Sequence, residues 1–83
     1  MYYVYILRSI KDGKLYIGKT RNLRDRFNKH EQGQVTATKN RLPVQLVFYE
    51  AFVNKTDAGR EELFYKSGFG REALQSKLLN TLK

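Results

Sequence analysis

Tyr5, Tyr16, Arg26, His30 and Glu62 are the side chains of this 83-residue sequence that a fold alone does not require. Tyr5 ends a Tyr3-Val4-Tyr5 triplet, Tyr16 opens a Tyr16-Ile17-Gly18 triplet, and Arg26 and His30 stand one helical turn apart. A guanidinium matches a phosphate with a planar fork of donors. A phenol or an imidazole can take a proton from water. A single carboxylate can hold a hard cation whose other ligands are waters and phosphates. Together these are the parts of a site for phosphodiester hydrolysis.

The elements that must position them are legible. Tyr3 to Leu7 and Leu15 to Gly18 read as strands joined by a turn at Lys11-Asp12-Gly13-Lys14, since Asp-Gly is a strong hairpin signal. Thr20 or Asn22 can cap a helix that runs to about Glu31 and stops at Gly33, with Leu23 and Phe27 as its apolar contacts. Pro43 opens a third strand, Val44 to Val53, apolar enough on both faces to be central. Thr56 or Asp57 caps a second helix ending at Gly68, and a third, Arg71 to Leu82, lines up Leu74, Leu78 and Leu82. The order β-β-α-β-α-α predicts an α+β domain, a three-stranded antiparallel sheet flanked by helices, spanning residues 1–83.

At about 100° per residue, His30 falls about 20° and Arg26 about 60° to one side of Leu23. Both therefore occupy the border where helix meets sheet. A lone histidine there is ordinarily hydrogen-bonded to backbone, and a lone arginine snorkels; their pairing favours chemistry. Ala58, Glu62 and Tyr65 follow at i, i+4 and i+7, which sets a carboxylate on a stripe otherwise suited to burial. Glutamate is almost never buried without a partner. Glu62 thus pairs with a cation such as Arg26, ligates a metal, or sits exposed on a frayed helix, while Glu61 reads as a surface residue.

Charge points the same way. Residues 1–49 carry ten Lys/Arg against Asp12, Asp25 and Glu31, a net +7, and residues 50–83 carry six against five acids, a net +1. A basic lobe beside a neutral one is the footprint of a polyanion binder. The sequence has no cysteine, which excludes disulfides and thiolate metal centres. It has no apolar run near the roughly 20 residues a membrane span needs, and the first residues lack the features of a signal peptide. A cytoplasmic location is the simplest expectation.

On these residues the chain resembles the GIY-YIG nuclease superfamily, in its small stand-alone subgroup. Tyr3-Val4-Tyr5 occupies the first motif, with Tyr and Val where the name-giving members have Gly and Ile. Tyr16-Ile17-Gly18 matches the second in full. Thr20 through His30 matches the helix with the family arginine and histidine, and Glu62 matches the metal-binding glutamate. Lys66-Ser67-Gly68-Phe69-Gly70-Arg71 resembles the subgroup's own signature. Several members place an asparagine 12 to 15 residues after that glutamate; Leu74 to Lys77 stand there instead.

The resemblance implies an endonuclease that hydrolyses DNA, selective for structure rather than sequence, with a DNA-repair setting among the family's uses. It implies one Mg²⁺ (or Mn²⁺) on Glu62, Arg26 neutralising charge on the phosphate, and Tyr16 orienting water or phosphate. Either Tyr5 or His30 would be the base, with the cation, Arg26 and Lys19 favouring a Tyr5 phenolate. Gly18, Lys19, Thr20, Arg21 and Arg24 would bind substrate, Gly18 by letting it approach the backbone closely. A nucleic-acid-binding module without catalysis and a structural domain are the alternatives.

Overall fold

The computed structural model describes residues 1–83. Strand β1 (Tyr2–Ser9), strand β2 (Leu15–Thr20), helix α1 (Leu23–Glu31), strand β3 (Val44–Phe52), helix α2 (Lys55–Lys66) and helix α3 (Gly68–Lys77) follow in that order. The three strands form one antiparallel sheet in the order β2-β1-β3. Class, strand number and element order match the expectation from sequence. Its centre does not. β1, not β3, is the middle strand, because Val4, Tyr5, Ile6 and Leu7 are all buried and both flanks need covering. β3 lies at an edge, with Gln45, Tyr49 and Ala51 exposed.

Alternation along β1 divides the core in two. Val4, Ile6 and Ile17 pack with Ala58, Tyr65, Leu74 and Leu78, so α2 and α3 cover one face. Tyr5, Leu7 and Val44 pack with Tyr16, Leu23 and Phe27, so α1 covers the other. The β1–β2 turn is held by Gly13 at φ +73, by Ser9 N–H donating to Lys14 O at 2.9 Å, and by Asp12 accepting from Lys14 N–H at 2.9 Å.

The ends of α1 match the expectation, and those of α2 and α3 differ from it. Asn22 caps α1 by accepting from Asp25 N–H at 3.0 Å, and Gly33 at φ +74 follows its end. Asn54 caps α2, accepting from Thr56 and Asp57, since its carbonyl oxygen reaches both freed amides. Ser67 ends α2 and caps α3 through Gly70 N–H, so α3 starts three residues early and stops at Lys77. Leu78 and Leu82 continue its apolar side as turns. A Cβ at Gly70 would overlap the Phe64 carbonyl, so the Lys66–Arg71 signature is what lets α2 and α3 meet at a tight corner.

Glu61 is half-buried rather than on the open surface. Burial and then the neighbouring Glu50 carboxylate push its carboxyl above the usual range. The buried Tyr65 hydroxyl donates to Glu50 at 2.6 Å, and Lys77 closes the group by donating to Tyr65 at 3.0 Å.

Candidate active site

Parity places the tyrosines. Tyr5 pairs with Gly18 and Leu7 with Tyr16 across β1 and β2, so Tyr5 and Tyr16 project from one face, their ring centroids 6.3 Å apart. α1 crosses that face and delivers His30 between them. The imidazole meets the Tyr16 ring edge to face at 5.1 Å, and its Nε2 lies 2.9 Å from the Tyr5 hydroxyl. Arg26, one turn earlier, donates from Nε to the same hydroxyl at 3.4 Å. Tyr5, Tyr16, Arg26 and His30 thus form one cluster.

His30 is fully buried, not at a border. Thr38, also fully buried, holds its other nitrogen: Oγ1 lies 2.7 Å from Nδ1. Thr38 sits in the loop between α1 and β3 and carries no periodicity, so only its Thr36–Lys39 polar setting marked it in the sequence. Arg26 can only donate, so the Tyr5 oxygen accepts from it. In the tautomer with its proton on Nδ1, His30 accepts the Tyr5 O–H at Nε2 and donates to Thr38; in the other, both bonds reverse.

The electrostatics sharpen this chain. Burial, ahead of the Arg26 charge, holds His30 down at about 4, so the ring is neutral at pH 7. Burial also raises the Tyr5 hydroxyl above the ordinary phenol range, against the pull of Arg26. The expected phenolate is therefore not the resting form, and Lys19 points to the opposite face. Arg26 is raised chiefly by its bond to Tyr5. It is half-buried and forms no ion pair with any carboxylate.

Gly18 stands directly opposite Tyr5 across the β1–β2 pair. A Cβ there would overlap the Tyr5 ring and hydroxyl, so the glycine makes room for Tyr5. Thr20 Oγ1 accepts from Asn22 N–H at 3.2 Å and shapes the entry to α1. The Arg21 guanidinium lies over the Tyr2 ring at 5.2 Å, and Arg24 lines a groove beside Tyr3.

Glu62 is not brought to the tyrosine cluster. α2 lies across the other face, where Glu62 shares a groove of about 590 Å³ with Lys19, Lys55, Gly59 and Arg60. Its carboxylate pairs with Lys66 at 3.2 Å, not with Arg26, because the two stand i,i+4 on one helix. The groups flank the same edge strand, Gly18 turned to one side and Lys19 to the other. No cluster of three or more His, Cys, Asp or Glu side chains forms a cage for a metal. One partly exposed carboxylate suits an ion that keeps its waters and shares the substrate's phosphate oxygens, which is how Mg²⁺ binds.

A three-stranded antiparallel sheet whose one face carries two tyrosines beneath an arginine and a histidine of α1 defines a class that comparison with known proteins identifies. The profile of the GIY-YIG catalytic domain matches residues 1–75, and the chain belongs to that family. A UPF0213 protein of Pediococcus acidilactici is 40% identical over 77 residues, covering 89% of this chain and 78% of that protein. A UPF0213 protein of Clostridium perfringens is 42% identical over 76 residues, covering 90% and 81%. The solution NMR structure of a UPF0213 protein from Bacillus halodurans superposes with a TM-score of 0.56 at 40% identity, covering 92% of this chain and 84% of that one.

Proposed function

We propose that this protein is a divalent-metal-dependent endonuclease that hydrolyses phosphodiester bonds in DNA and selects its substrate by structure. The observation that carries this reading is Arg26: a half-buried guanidinium without a carboxylate, fixed on the hydroxyl of Tyr5. Buried charges are ordinarily paired, so an unpaired one beside a proton-transfer chain suits a phosphate ligand.

Arg26 binds the scissile phosphate and neutralises the charge that grows on it. An attacking water gives its proton to Tyr5 as the Tyr5 proton passes to His30 Nε2; Thr38 keeps the ring oriented for that transfer. The new P–O bond forms as the bond to the 3′-oxygen breaks. That oxygen takes a proton from solvent, leaving a 5′-phosphate and a 3′-hydroxyl. This order reconciles two candidate bases: Tyr5 touches the water, and His30 receives the proton. Glu62, with phosphate and water oxygens, would hold Mg²⁺ or Mn²⁺, which when bound polarises the phosphate.

A binding module without catalysis is favoured by one observation, the near-complete burial of Tyr5 and His30. Nicked, flapped, branched and single-stranded DNA, incubated with and without Mg²⁺, separate the two. Metal-dependent cleavage that falls by about 100-fold or more in Arg26→Ala is expected, the scale of losing one transition-state donor. Binding of these substrates without cleavage under any metal condition overturns the enzyme reading.

A further inference from the structure

Beside the tyrosine cluster, on the same face of the sheet, lies an open groove of about 520 Å³ whose lining includes Tyr3, Arg21, Arg24, Phe27, Leu46 and Tyr49. Register explains its position. Tyr49 pairs directly with Tyr5, and Tyr3 precedes Tyr5 by two residues. A register shift opposite Ile6 and Leu7 brings Leu46 opposite Leu7, so Leu46 and Tyr49 share a face despite their odd spacing. The groove therefore begins beside the Tyr5 backbone on the β3 side, while the Tyr5 hydroxyl leans the other way, over Gly18 of β2.

Its lining is unusual for a surface. Tyr49 is 52% exposed on an edge strand, and Tyr3 meets it edge to face at 6.0 Å. Arg21 and Arg24 also line it and neither pairs with a carboxylate, though the Arg21 guanidinium rests over the Tyr2 ring of the other face. An exposed tyrosine ring beside guanidinium groups that lack a carboxylate suits a ligand that is planar and carries negative charge. A base inside a duplex is already stacked and offers neither of its faces; an unpaired one offers both. A volume of this size is that of a small-ligand pocket.

We propose that the groove holds one unpaired nucleobase stacked on Tyr49, next to the phosphate bound at Arg26, and that the substrate is single-stranded DNA. Arg21 and Arg24 then contact the phosphates that flank the stacked base. This rests on the nucleic-acid reading of the Tyr5 site, but its test needs no catalysis.

Fluorescence anisotropy without divalent metal, using the full chain, supplies that test. The probes are a labelled thymine tract, an abasic tract with the same number of phosphates, and a duplex of equal length. The wild type is expected to hold the thymine tract more tightly than either other probe. Tyr49→Ala should weaken that binding by about tenfold, the scale of one lost base–aromatic stack, and Tyr49→Phe should preserve it. Neither variant should change abasic-tract affinity by more than about twofold, because phosphate contacts are untouched. Equal wild-type affinity for thymine and abasic tracts overturns the proposal, as does an equal loss on both in Tyr49→Ala. The first comparison needs no variant. Metal-dependent cleavage of any DNA alongside indifference to the bases would sink the groove and leave the nuclease reading. Base-dependent binding with no cleavage would do the reverse.

Discussion

At the scale of single residues the site is organised by one hydroxyl. Tyr5 oxygen accepts from Arg26 and lies 2.9 Å from His30 Nε2. Burial keeps that imidazole neutral, with a folded-state value of about 4 against an ordinary 6.5. Between these two values the unfolded chain binds the proton and the folded one does not, so stability is complete above about pH 6.5 and falls as the pH drops toward 4. Denaturant unfolding from pH 7.5 to 4.5 should show a loss on the order of 3 kcal/mol from this group. His30→Gln should flatten that slope; a wild-type profile with no loss in this window would mean that the ring is charged in the fold. Gly18→Ala belongs to the same scale. Its new methyl overlaps the Tyr5 ring, and the cost should be about 1–3 kcal/mol in thermal unfolding.

Elements decide which residues meet. β1 sits in the middle of the sheet, so its two faces serve different helices, and Tyr5 goes with α1 while Val4 and Ile6 go with α2 and α3. Glu62 consequently faces Lys19 and Lys66 instead of Arg26. An i,i+4 pair with an exposed lysine contributes only about 0.3–0.5 kcal/mol. Glu62→Gln should therefore leave the melting temperature nearly unchanged while metal-dependent cleavage collapses. A melting temperature that drops by ten degrees with cleavage retained would make Glu62 a structural residue. The α2–α3 corner is stricter: Gly70→Ala drives a methyl into the Phe64 carbonyl and should destabilise by more than Asn22→Ala. Removing that α1 cap should cost about 1 kcal/mol.

At the scale of the molecule, charge and shape act together. The basic first half supplies both strands and the helix of the tyrosine cluster, and with Lys19 and Lys55 it surrounds the β2 edge with positive charge. DNA affinity should fall steeply with salt as phosphate contacts release counterions. Changing Arg21 and Arg24 together to Gln should lower the log–log salt slope by roughly 1.5, as two lost phosphate contacts require. An unchanged slope would place the DNA elsewhere. No helix is long and apolar enough to cross a membrane.

Local signals made much of this legible beforehand. The Asp12-Gly13 turn marked the hairpin that carries Tyr5 and Tyr16, while the register that sets both on one face is fixed by the pairing of the folded strands. Leu23 and Phe27 likewise set Arg26 and His30 toward the sheet. Periodicity has no reach beyond an element, and there the tertiary structure decided. Thr38 reaches His30 only because a loop without pattern folds under α1. β1 rather than β3 became central because four consecutive buried side chains need cover on both faces. Gly18 serves Tyr5 because the ring opposite fills its space. Glu61, expected at the surface, is half-buried beside Glu50, and Glu62, on its partly buried stripe, is held by Lys66. Burial of a charged group depends on which distant element closes over it, and the order of residues along α2 does not contain that information.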